Sequence, residues 1–381
     1  DDHPPRTMGV LNVSEESPYD PSVYSDPGSA ATYVDEELID NGADIVDVGL
    51  ESANKRLDVL TPGQELDRLD TAVETIESVS SDAVFSIETR YAEVAEEALD
   101  RGFDMVNDIC GFADPEMPEV CREYDVAVGK MASPPDLSAP GAIEKVDWAK
   151  ARSPEWAASA DYVDKLYEAL EQNGLTEKTI VDPAFGGWSE DKTLAHDRET
   201  FRRLPEFRAL GQPVLVSINR KNFLRKLVDR STEEALPVSL AATAMAVERG
   251  ANVVRTHDVA ETRDAALIGD AFSERTVVDG GSVRATELAV TDPHTASRYV
   301  ERIDGDGGAD GLAGRVVEVA GTSPEQTATV VETAQRSGAV VRTGDDVLLI
   351  GGSEDALVST AEKLPDGVLY EPIVQLLGAG G

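Results

Sequence analysis

The stretch ERGANVVRTHDV, residues 248–259, decides the fold class of this chain. It starts as the end of a helix, passes a glycine at position 250 that can terminate that helix, and continues as a short apolar strand over residues 252–255. The earlier stretches NGADIVDVGLES (residues 41–52) and RGFDMVNDI (residues 101–109) repeat the same order and also end in polar residues. This recurrence is typical of parallel strands that are buried on both faces and carry their chemistry at their carboxyl ends. It predicts a TIM (β/α)8 barrel.

The rest of the chain divides into a barrel and a smaller unit. We expect a barrel over residues 1–275, a linker with a short connecting segment over 276–312, and a small α+β accessory domain over 313–381. The last segment reads as strand, helix, two strands, helix and a final strand near Leu369, an order that suits a ferredoxin-like unit. The barrel strands are expected at residues 7–13, 44–48, 83–87, 104–108, 126–131, 179–182, 214–217 and 252–255.

The charge of the chain is strongly acidic. Asp and Glu number 73 against 34 Lys and Arg, which gives a formal net charge of −39 dispersed along the sequence. A dispersed acidic surface suits concentrated salt, where screening shortens self-repulsion, so we expect an extreme halophile. The alternative, a surface for a basic partner, more often shows clustered charge. Such a field repels polyanions, so no nucleic-acid partner is expected.

Cysteine usage and hydropathy favour a cytoplasmic protein. Cys110 and Cys121 lack metal-ligand spacing and are interpreted as buried thiols in a reducing compartment. No apolar run reaches the length of a membrane span, and no signal peptide precedes the first strand. Because the chain lacks an initiator Met, we expect a trimmed product or one module of a longer polypeptide.

Polar residues follow the ends of the candidate strands, where barrel active sites lie. Carboxylates and an amide among them could bind the donor edge of a flat heterocycle, and cations could grip a phosphate or diphosphate. Asn12 offers a neutral oxygen for Mg²⁺. The strand-end residues are Asn12, Glu51, Ser52, Glu88, Asn107, Asp108, Lys130, Met131, Asp182, Asn219, Arg220, Lys221, Arg255, His257 and Asp258.

Each of these residues has an ordinary structural interpretation when it is taken alone. An Asn at a strand end is commonly a turn former, and an Arg and His pair near a helix start is often a solvated salt-bridge partner. Their joint placement at equivalent strand exits favours a site. The other histidines, His3, His196 and His294, lack such company and are expected at the surface.

Seven segments, in order, resemble the dihydropteroate synthase family over residues 7–272. They are MGVLNVSEESPYD, GADIVDVGLES, FSIETR, MVNDI, TIVDPAFG, LVSINRKNF and VVRTHDV. The tail is similar to an accessory region on some members, which makes a methyltetrahydrofolate methyltransferase a weaker interpretation. The resemblance implies a homodimeric enzyme that condenses 6-hydroxymethyl-7,8-dihydropterin diphosphate with p-aminobenzoate, as part of folate biosynthesis.

The resemblance also implies roles for individual residues. Lys221, Arg255 and His257 would be the catalytic residues, and Asn12, Arg255 and His257 would hold the diphosphate, with Asn12 coordinating the Mg²⁺ cofactor. The pterin would contact Glu88, Asn107, Met131, Asp182 and Lys221. The p-aminobenzoate would contact Ser52, Arg220 and Asn222, at the start of the helix after strand seven. No protein nucleophile is required.

The sequence departs from the family pattern mainly in the loops. Glu88 replaces the usual Asp, Ala184 a glycine and Asn219 a serine, and the loops over residues 14–22 and 53–56 differ. Alanine at position 132 replaces a histidine. Two alternatives therefore stay open: a pterin-dependent transferase with another amine or a methyl acceptor, and a catalytically silent pterin-binding or assembly subunit.

Overall fold

The computed structural model of the protein describes most of its residues. The described residues are 3–14, 20–52, 59–133, 146–186, 192–273, 277–290, 293–306, 308–309, 312, 314–344, 347–365 and 370–378. The altered residues 15–19 and 53–56 of the two loops singled out above lie outside them.

Eight parallel strands form the first sheet, which confirms the barrel. The strand order is β6-β5-β4-β3-β2-β1-β8-β7, and a parallel bridge between Val181 and Val214 joins the two ends of this order. The strands are β1 (Arg6–Asn12), β2 (Ile45–Gly49), β3 (Val84–Glu88), β4 (Met105–Asp108), β5 (Ala127–Met131), β6 (Thr179–Asp182), β7 (Leu215–Val216) and β8 (Val253–Thr256).

Helices connect these strands and pack outside them. Gly250 has φ 102° and ends the helix before β8, as residues 248–259 predict, and Gly102 does the same before β4. Gly42, also at positive φ, follows the helical segment Val34–Ile39 that continues α1 toward β2. The helices are α1 (Pro27–Tyr33), α2 (Pro62–Ser78), α3 (Ala92–Asp100), α4 (Met117–Glu123), α5 (Trp148–Ala151), α6 (Pro154–Ser159), α7 (Tyr162–Glu171), α8 (Leu194–Arg202), α9 (Asn222–Arg225), α10 (Leu236–Glu248) and α11 (Val259–Ala271).

The interior of the barrel below the strand ends is apolar. One cluster of buried residues contains only strand residues, namely Met8, Ile45, Met105, Leu215 and Val253, with Ala127 and Ile180 packed against it. Since side chains along a strand alternate between its two faces, the residues two positions later point to the same side as this cluster. The cluster therefore forms the floor on which the polar strand-end residues rest.

A second compact unit consists of His3, residues 205–211 and the described residues after 273. Its sheet has the order β12-β13-β11-β10-β9, and all neighbouring strands are antiparallel. The elements are β9 (Val277–Asp279), β10 (Arg284–Leu288), α12 (Pro293–Arg302), β11 (Arg315–Ala320), α13 (Pro324–Ser337), β12 (Val340–Thr343), β13 (Val347–Gly352), α14 (Glu354–Lys363) and α15 (Glu371–Gly378).

Two expectations about this unit need correction. The segment 276–312 is more than a linker, because β9 and β10 extend the sheet and α12 contributes Ala296, Tyr299 and Val300 to its core. Residues 205–211 group with this unit through buried Ala209, which packs in the same core. The strand expected near Leu369 falls outside the described residues, and β10 already occupies the sheet position beside β11.

None of the helices in the described ranges is long and apolar enough to cross a membrane.

Candidate active site

The strand alternation explains which polar residues enter the barrel mouth. Asn107 lies two residues after Met105, Arg255 two after Val253, and Asp182 two after Ile180, so all three follow residues of the apolar floor on the same face. Register pairs Glu88 of β3 with Asn107 of β4, and Met131 of β5 with Asp182 of β6. Residues far apart in the chain therefore share one end of the barrel.

Asp47, in the middle of β2, is the hub of the polar layer at the barrel mouth, in the sense that its carboxylate binds side chains from three other strands. The sequence pattern did not single it out. Its carboxylate is fully buried and accepts hydrogen bonds from Ser86 Oγ at 2.9 Å, Asn107 Nδ2 at 2.9 Å and Arg255 Nε at 2.7 Å. The available signal was an ionisable residue inside the apolar run IVDV. Asp47 orients both an amide and a guanidinium of the candidate site.

Arg255 bridges two carboxylates from neighbouring strands. Its Nη2 donates to Glu88 Oε2 at 2.7 Å, in addition to the bond to Asp47. Burial raises the pKa of Glu88 to about 7, against the opposing attraction of Arg255. Burial alone would lower the pKa of Arg255, but Asp47 and Glu88 outweigh it and the net shift is upward. Arg255 thus stays charged while Glu88 titrates near neutrality.

Asp182 and Lys221 form the other side of the layer. Burial raises the pKa of Asp182 to about 6, although the Ala184 amide, which donates to its Oδ1 at 2.7 Å, and Lys221 oppose the shift. Burial lowers the pKa of Lys221, and the charge of Asp182 opposes this shift. Asp182 and the partly buried Lys221 therefore stabilise each other's charge at the mouth, where a ligand with both donors and acceptors can bind to them.

A cavity of about 780 Å³ opens beside this layer. Burial and the neighbouring Arg255 lower the pKa of His257 to about 3, so its imidazole is neutral near pH 7. Arg255, Lys221 and Arg220 all act on His257 in this direction, which makes the cavity suited to an anion. The lining residues are Val10, Pro21, Ser217, Asn219, Arg220, Lys221, Thr232, Glu233, Arg255, Thr256 and His257.

Arg220 is held firmly at the rim of this cavity. It makes a two-bonded contact with Asp258, from Nε and Nη2 at 2.8 Å each, and its Nη1 donates to the carbonyls of Thr232 and Glu233 at 2.8 and 2.9 Å. Four of its five N–H donors are thus engaged. The arrangement favours a role in holding the segment at residues 232–233, and the contact of Arg220 with p-aminobenzoate stays a prediction.

Asn12 has the donor set expected for a weakly held Mg²⁺. Its Nδ2 donates to Ser22 Oγ at 2.9 Å, which orients the amide, and coordination of Mg²⁺ by its Oδ1 stays a prediction. Within the described ranges no group of three or more His, Cys, Asp or Glu could hold a metal ion. One neutral protein oxygen fits an ion that keeps several waters and binds mainly to substrate phosphates.

The other residues assigned from the family resemblance lie at the same end of the barrel. Met131 is buried at the end of β5, and Asn222 begins α9, a single turn in which its Oδ1 accepts from Arg225 Nε at 2.7 Å. Ser52 follows β2, and its buried Oγ makes no hydrogen bond with the described residues. The substrate contacts of these three residues stay predictions.

Two strand-end residues point away from the mouth. Lys130 is buried outside the barrel, where Nζ donates to the carbonyls of Leu170 at 2.7 Å and Gly174 at 2.8 Å around the end of α7. Asp108 accepts from the amides of Cys110 and Phe112 at 2.7 Å each. Both are one position away from an inward residue, so the alternation turns them outward. The expectation that they join the mouth is wrong.

The glycine beside Asn107 allows a specific prediction. A Cβ at Gly129 would lie 2.7 Å from Asn107 Oδ1, so Gly129→Ala should displace the amide and weaken its bond to Asp47. Loss of one such bond corresponds to about 1 kcal/mol, or roughly fivefold weaker pterin binding by fluorescence titration. Gly63→Ala is the control because its added Cβ meets nothing within 4 Å apart from its chain neighbours and its own helix backbone. Equal affinities for the two variants would contradict the assignment of Asn107.

Comparison with known proteins is consistent with this geometry. The family model for "Pterin binding enzyme" matches residues 8–257. A probable bifunctional folylpolyglutamate synthase/dihydropteroate synthase of Halobacterium salinarum is 36% identical over 264 residues, which are 69% of this chain and 31% of that protein. Its Haloferax volcanii counterpart is 34% identical over 67% of this chain and 29% of its own length. The chain thus spans less than a third of these two relatives.

Single-function relatives and solved structures match over nearly their full length. The dihydropteroate synthase of Escherichia coli is 30% identical, covering 70% of this chain and 91% of that protein. The Coxiella burnetii dihydropteroate synthase in complex with pteroic acid has a TM-score of 0.57 and 29% identity, over 70% of this chain and 92% of that one. A Clostridium difficile dihydropteroate synthase, crystallised in the presence of pteroic acid, has a TM-score of 0.58 and 28% identity over 71% and 98%.

Proposed function

This chain belongs to the pterin-binding enzyme family, and on that premise we propose that it is a dihydropteroate synthase, a transferase of folate biosynthesis. The reaction would join 6-hydroxymethyl-7,8-dihydropterin diphosphate to p-aminobenzoate, with release of diphosphate. The observation that carries the proposal is an acceptor layer beside the cationic cavity, formed by buried Asp182 and Asn107 and by Glu88, whose side chain is 10% exposed.

The mechanism assigns separate tasks to the two parts of the site. Asp182 and Asn107 would hold the donor and acceptor edge of the pterin ring, with Asp47 fixing the Asn107 amide. Lys221 and Arg255 would stabilise the charge that develops on the departing diphosphate, and the pterin ring itself would stabilise the cationic methylene carbon. The arylamine then attacks that carbon, and its proton leaves to solvent. A Mg²⁺ ion at Asn12 would supply further neutralisation of the diphosphate.

Arg255 can act on the diphosphate while it keeps its present partners. In the structure its bonds to Asp47 and Glu88 engage two of its five N–H donors, at Nε and Nη2. Glu88 accepts through Oε2, so its other oxygen would accept from the pterin while further donors of Arg255 bind the diphosphate. Glu88 carries a longer arm than the usual Asp, and its side chain is only 10% exposed.

The assay that tests the function supplies the pterin diphosphate, Mg²⁺ and p-aminobenzoate in concentrated salt, as the net charge of −39 suggests. Diphosphate release that requires the arylamine, together with dihydropteroate in the product, is the expected result. Diphosphate release with no incorporation of p-aminobenzoate would favour another acceptor. Pterin binding with no turnover for any amine would favour a silent pterin-binding subunit.

Two further properties are part of the proposal. The bifunctional names of the haloarchaeal relatives support a role within a larger folate-pathway polypeptide. A homodimer is expected from family habit and is tested by light scattering in the same salt.

The pH dependence of pterin binding follows from the shifted carboxyls. Asp182, with a pKa of about 6, must be ionised to accept from the ring, so affinity for 6-hydroxymethylpterin should rise about tenfold from pH 5 to pH 7. This ligand carries no phosphate, so the titration of a diphosphate group cannot produce the change in affinity. Affinity is measured by fluorescence quenching. In Asp182→Asn the rise in affinity between pH 5 and pH 7 should be much smaller. A wild-type affinity independent of pH would contradict the role of Asp182.

The raised pKa of Asp182 has the opposite effect on the stability of the folded state. The folded pKa of Asp182 lies above its ordinary value of 3.8, so its contribution is fully present below pH 3.8 and is lost as pH rises through about 6. The site therefore costs stability in the range where it binds best.

A further inference from the structure

The segment from Asp182 to Gly186, between β6 and α8, supports two residues of the proposed pterin site. The Ala184 amide donates to Asp182 Oδ1 at 2.7 Å, and a Cβ at Gly186 would lie 3.4 Å from Lys221 Nζ. The Phe185 ring stacks on Phe223 of α9 at 5.4 Å between centroids, and α9 begins directly after Lys221. The position of this segment therefore affects both the carboxylate and the ammonium.

The segment does not lie in a relaxed backbone conformation. Ala184 has φ 60°, in the left-handed region that disfavours a residue with a Cβ. A residue with a Cβ needs other contacts to hold the turn in this conformation.

Lys192, just before α8, and Asp197, in its first turn, provide those contacts. Their side chains are only 4% and 5% exposed and form an ion pair with Nζ and Oδ1 3.1 Å apart. Lys192 Nζ also donates to the Ala184 carbonyl, and Asp197 Oδ1 accepts from the Gly186 amide at 3.1 Å. One buried ion pair thus holds the backbone on both sides of Phe185.

We propose that Lys192 and Asp197 are positioning residues for pterin recognition, which fix the turn that carries Asp182 and supports Lys221. This inference rests on the proposed function. Neither residue needs to touch the substrate. Their effect is to keep the Asp182 carboxylate and the Lys221 ammonium in place before the ring arrives, which limits the ordering cost of binding.

The electrostatics of the region agree with this placement. The charge of Lys192 acts to lower the pKa of Asp182, and the charge of Lys221 acts to lower the pKa of Lys192. The Lys192 ammonium also lies 5.8 Å from the centre of the Tyr162 ring. The pair is therefore electrostatically coupled to the site as well as hydrogen-bonded to its backbone.

The test compares Lys192→Met and Asp197→Asn with Arg203→Met, which breaks a different ion pair in the same region, between Arg203 Nη1 and Asp161 Oδ2 at 2.6 Å. We expect Lys192→Met and Asp197→Asn to raise KM for the pterin diphosphate at least about tenfold, with KM for p-aminobenzoate within about twofold of the wild type. Lys192→Arg should recover most of the affinity. Arg203→Met should lower Tm without changing either KM.

Direct pterin binding, measured by fluorescence without p-aminobenzoate, keeps the inference separate from the proposed function. A wild type that binds pterin, with Lys192→Met and Asp197→Asn binding equally well, would overturn this inference alone. The inference would also be overturned if Lys192→Met and Asp197→Asn raised the KM values for both substrates equally and Arg203→Met did the same. That result would indicate a general loss of order in this region of the protein. A wild type that binds no pterin would overturn the proposed function and this inference together. Asp197→Asn preserves shape and serves as the readable variant if Lys192→Met does not fold.

Discussion

Replacing Arg255 by methionine is expected to lower the free energy of unfolding by about 3 kcal/mol and kcat/KM by at least about a hundredfold. The reason is that Arg255 lies between the buried carboxylates of Asp47 and Glu88, with Nε and Nη2 each 2.7 Å from an acceptor. Without the guanidinium, two like charges face each other with little water to screen them. Denaturant unfolding in concentrated salt and steady-state kinetics measure the two losses.

The loss of stability in Arg255→Met should depend on pH with a definite sign. Removing the cation raises the pKa of the Glu88 carboxyl further, and this pKa is already at about 7. The folded state then binds more protons than the unfolded state between about pH 4 and pH 7, so the variant should lose stability as pH rises across that range.

The control for this prediction is an arginine that makes a similar bond at the surface. Arg6 Nη1 lies 2.7 Å from Asp44 Oδ1, but its side chain is 51% exposed, so Arg6→Met should cost less than about 1 kcal/mol. If Arg255→Met were no more destabilising than Arg6→Met, the buried bridge would not have the role assigned to it.

Lys221→Ala and Asp182→Ala are each expected to lower kcat/KM by at least about tenfold, or roughly 1.4 kcal/mol of transition-state binding. Asp182 is buried at the end of β6, Lys221 is partly buried at the start of α9, and each acts on the pKa of the other. Asp182→Ala should act mainly on KM for the pterin diphosphate, because the carboxylate binds the ring. Lys221→Ala should act on kcat as well, because the ammonium also faces the cavity proposed for the leaving group.

A double-variant cycle tests whether these two residues act as one unit. Because each stabilises the charge of the other, the loss in the double variant should be smaller than the two single losses combined. Lys178, which is 49% exposed and pairs with Asp125, provides the matched control, and Lys178→Ala should leave kcat/KM unchanged. Unchanged kcat/KM in both Lys221→Ala and Asp182→Ala would contradict the assignment of these residues to the active site.

Most of the barrel could be predicted because its signals are local. The capping glycine at position 250 and the apolar strands with polar exits are each visible within about ten residues. The second unit was harder to predict from the sequence, because β9 and β10 are short and separated by turn glycines. Only their antiparallel pairing, through β11, identifies 276–312 as part of a sheet.

The sequence by itself determined the order of strands and helices, the polar exits and, through the family resemblance, the residues expected at the barrel mouth. Only the tertiary structure decided which exit residues face inward: Asn107 and Met131 do, whereas Asp108 and Lys130 face outward. It also identified Asp47 as the hub and Lys192 with Asp197 as the support of the β6 turn. The physical reason is that parallel strands in a barrel are buried on both faces, so their apolar pattern does not reveal which face is inside. A partner such as Arg255, 208 residues from Asp47, becomes its neighbour only when the barrel closes.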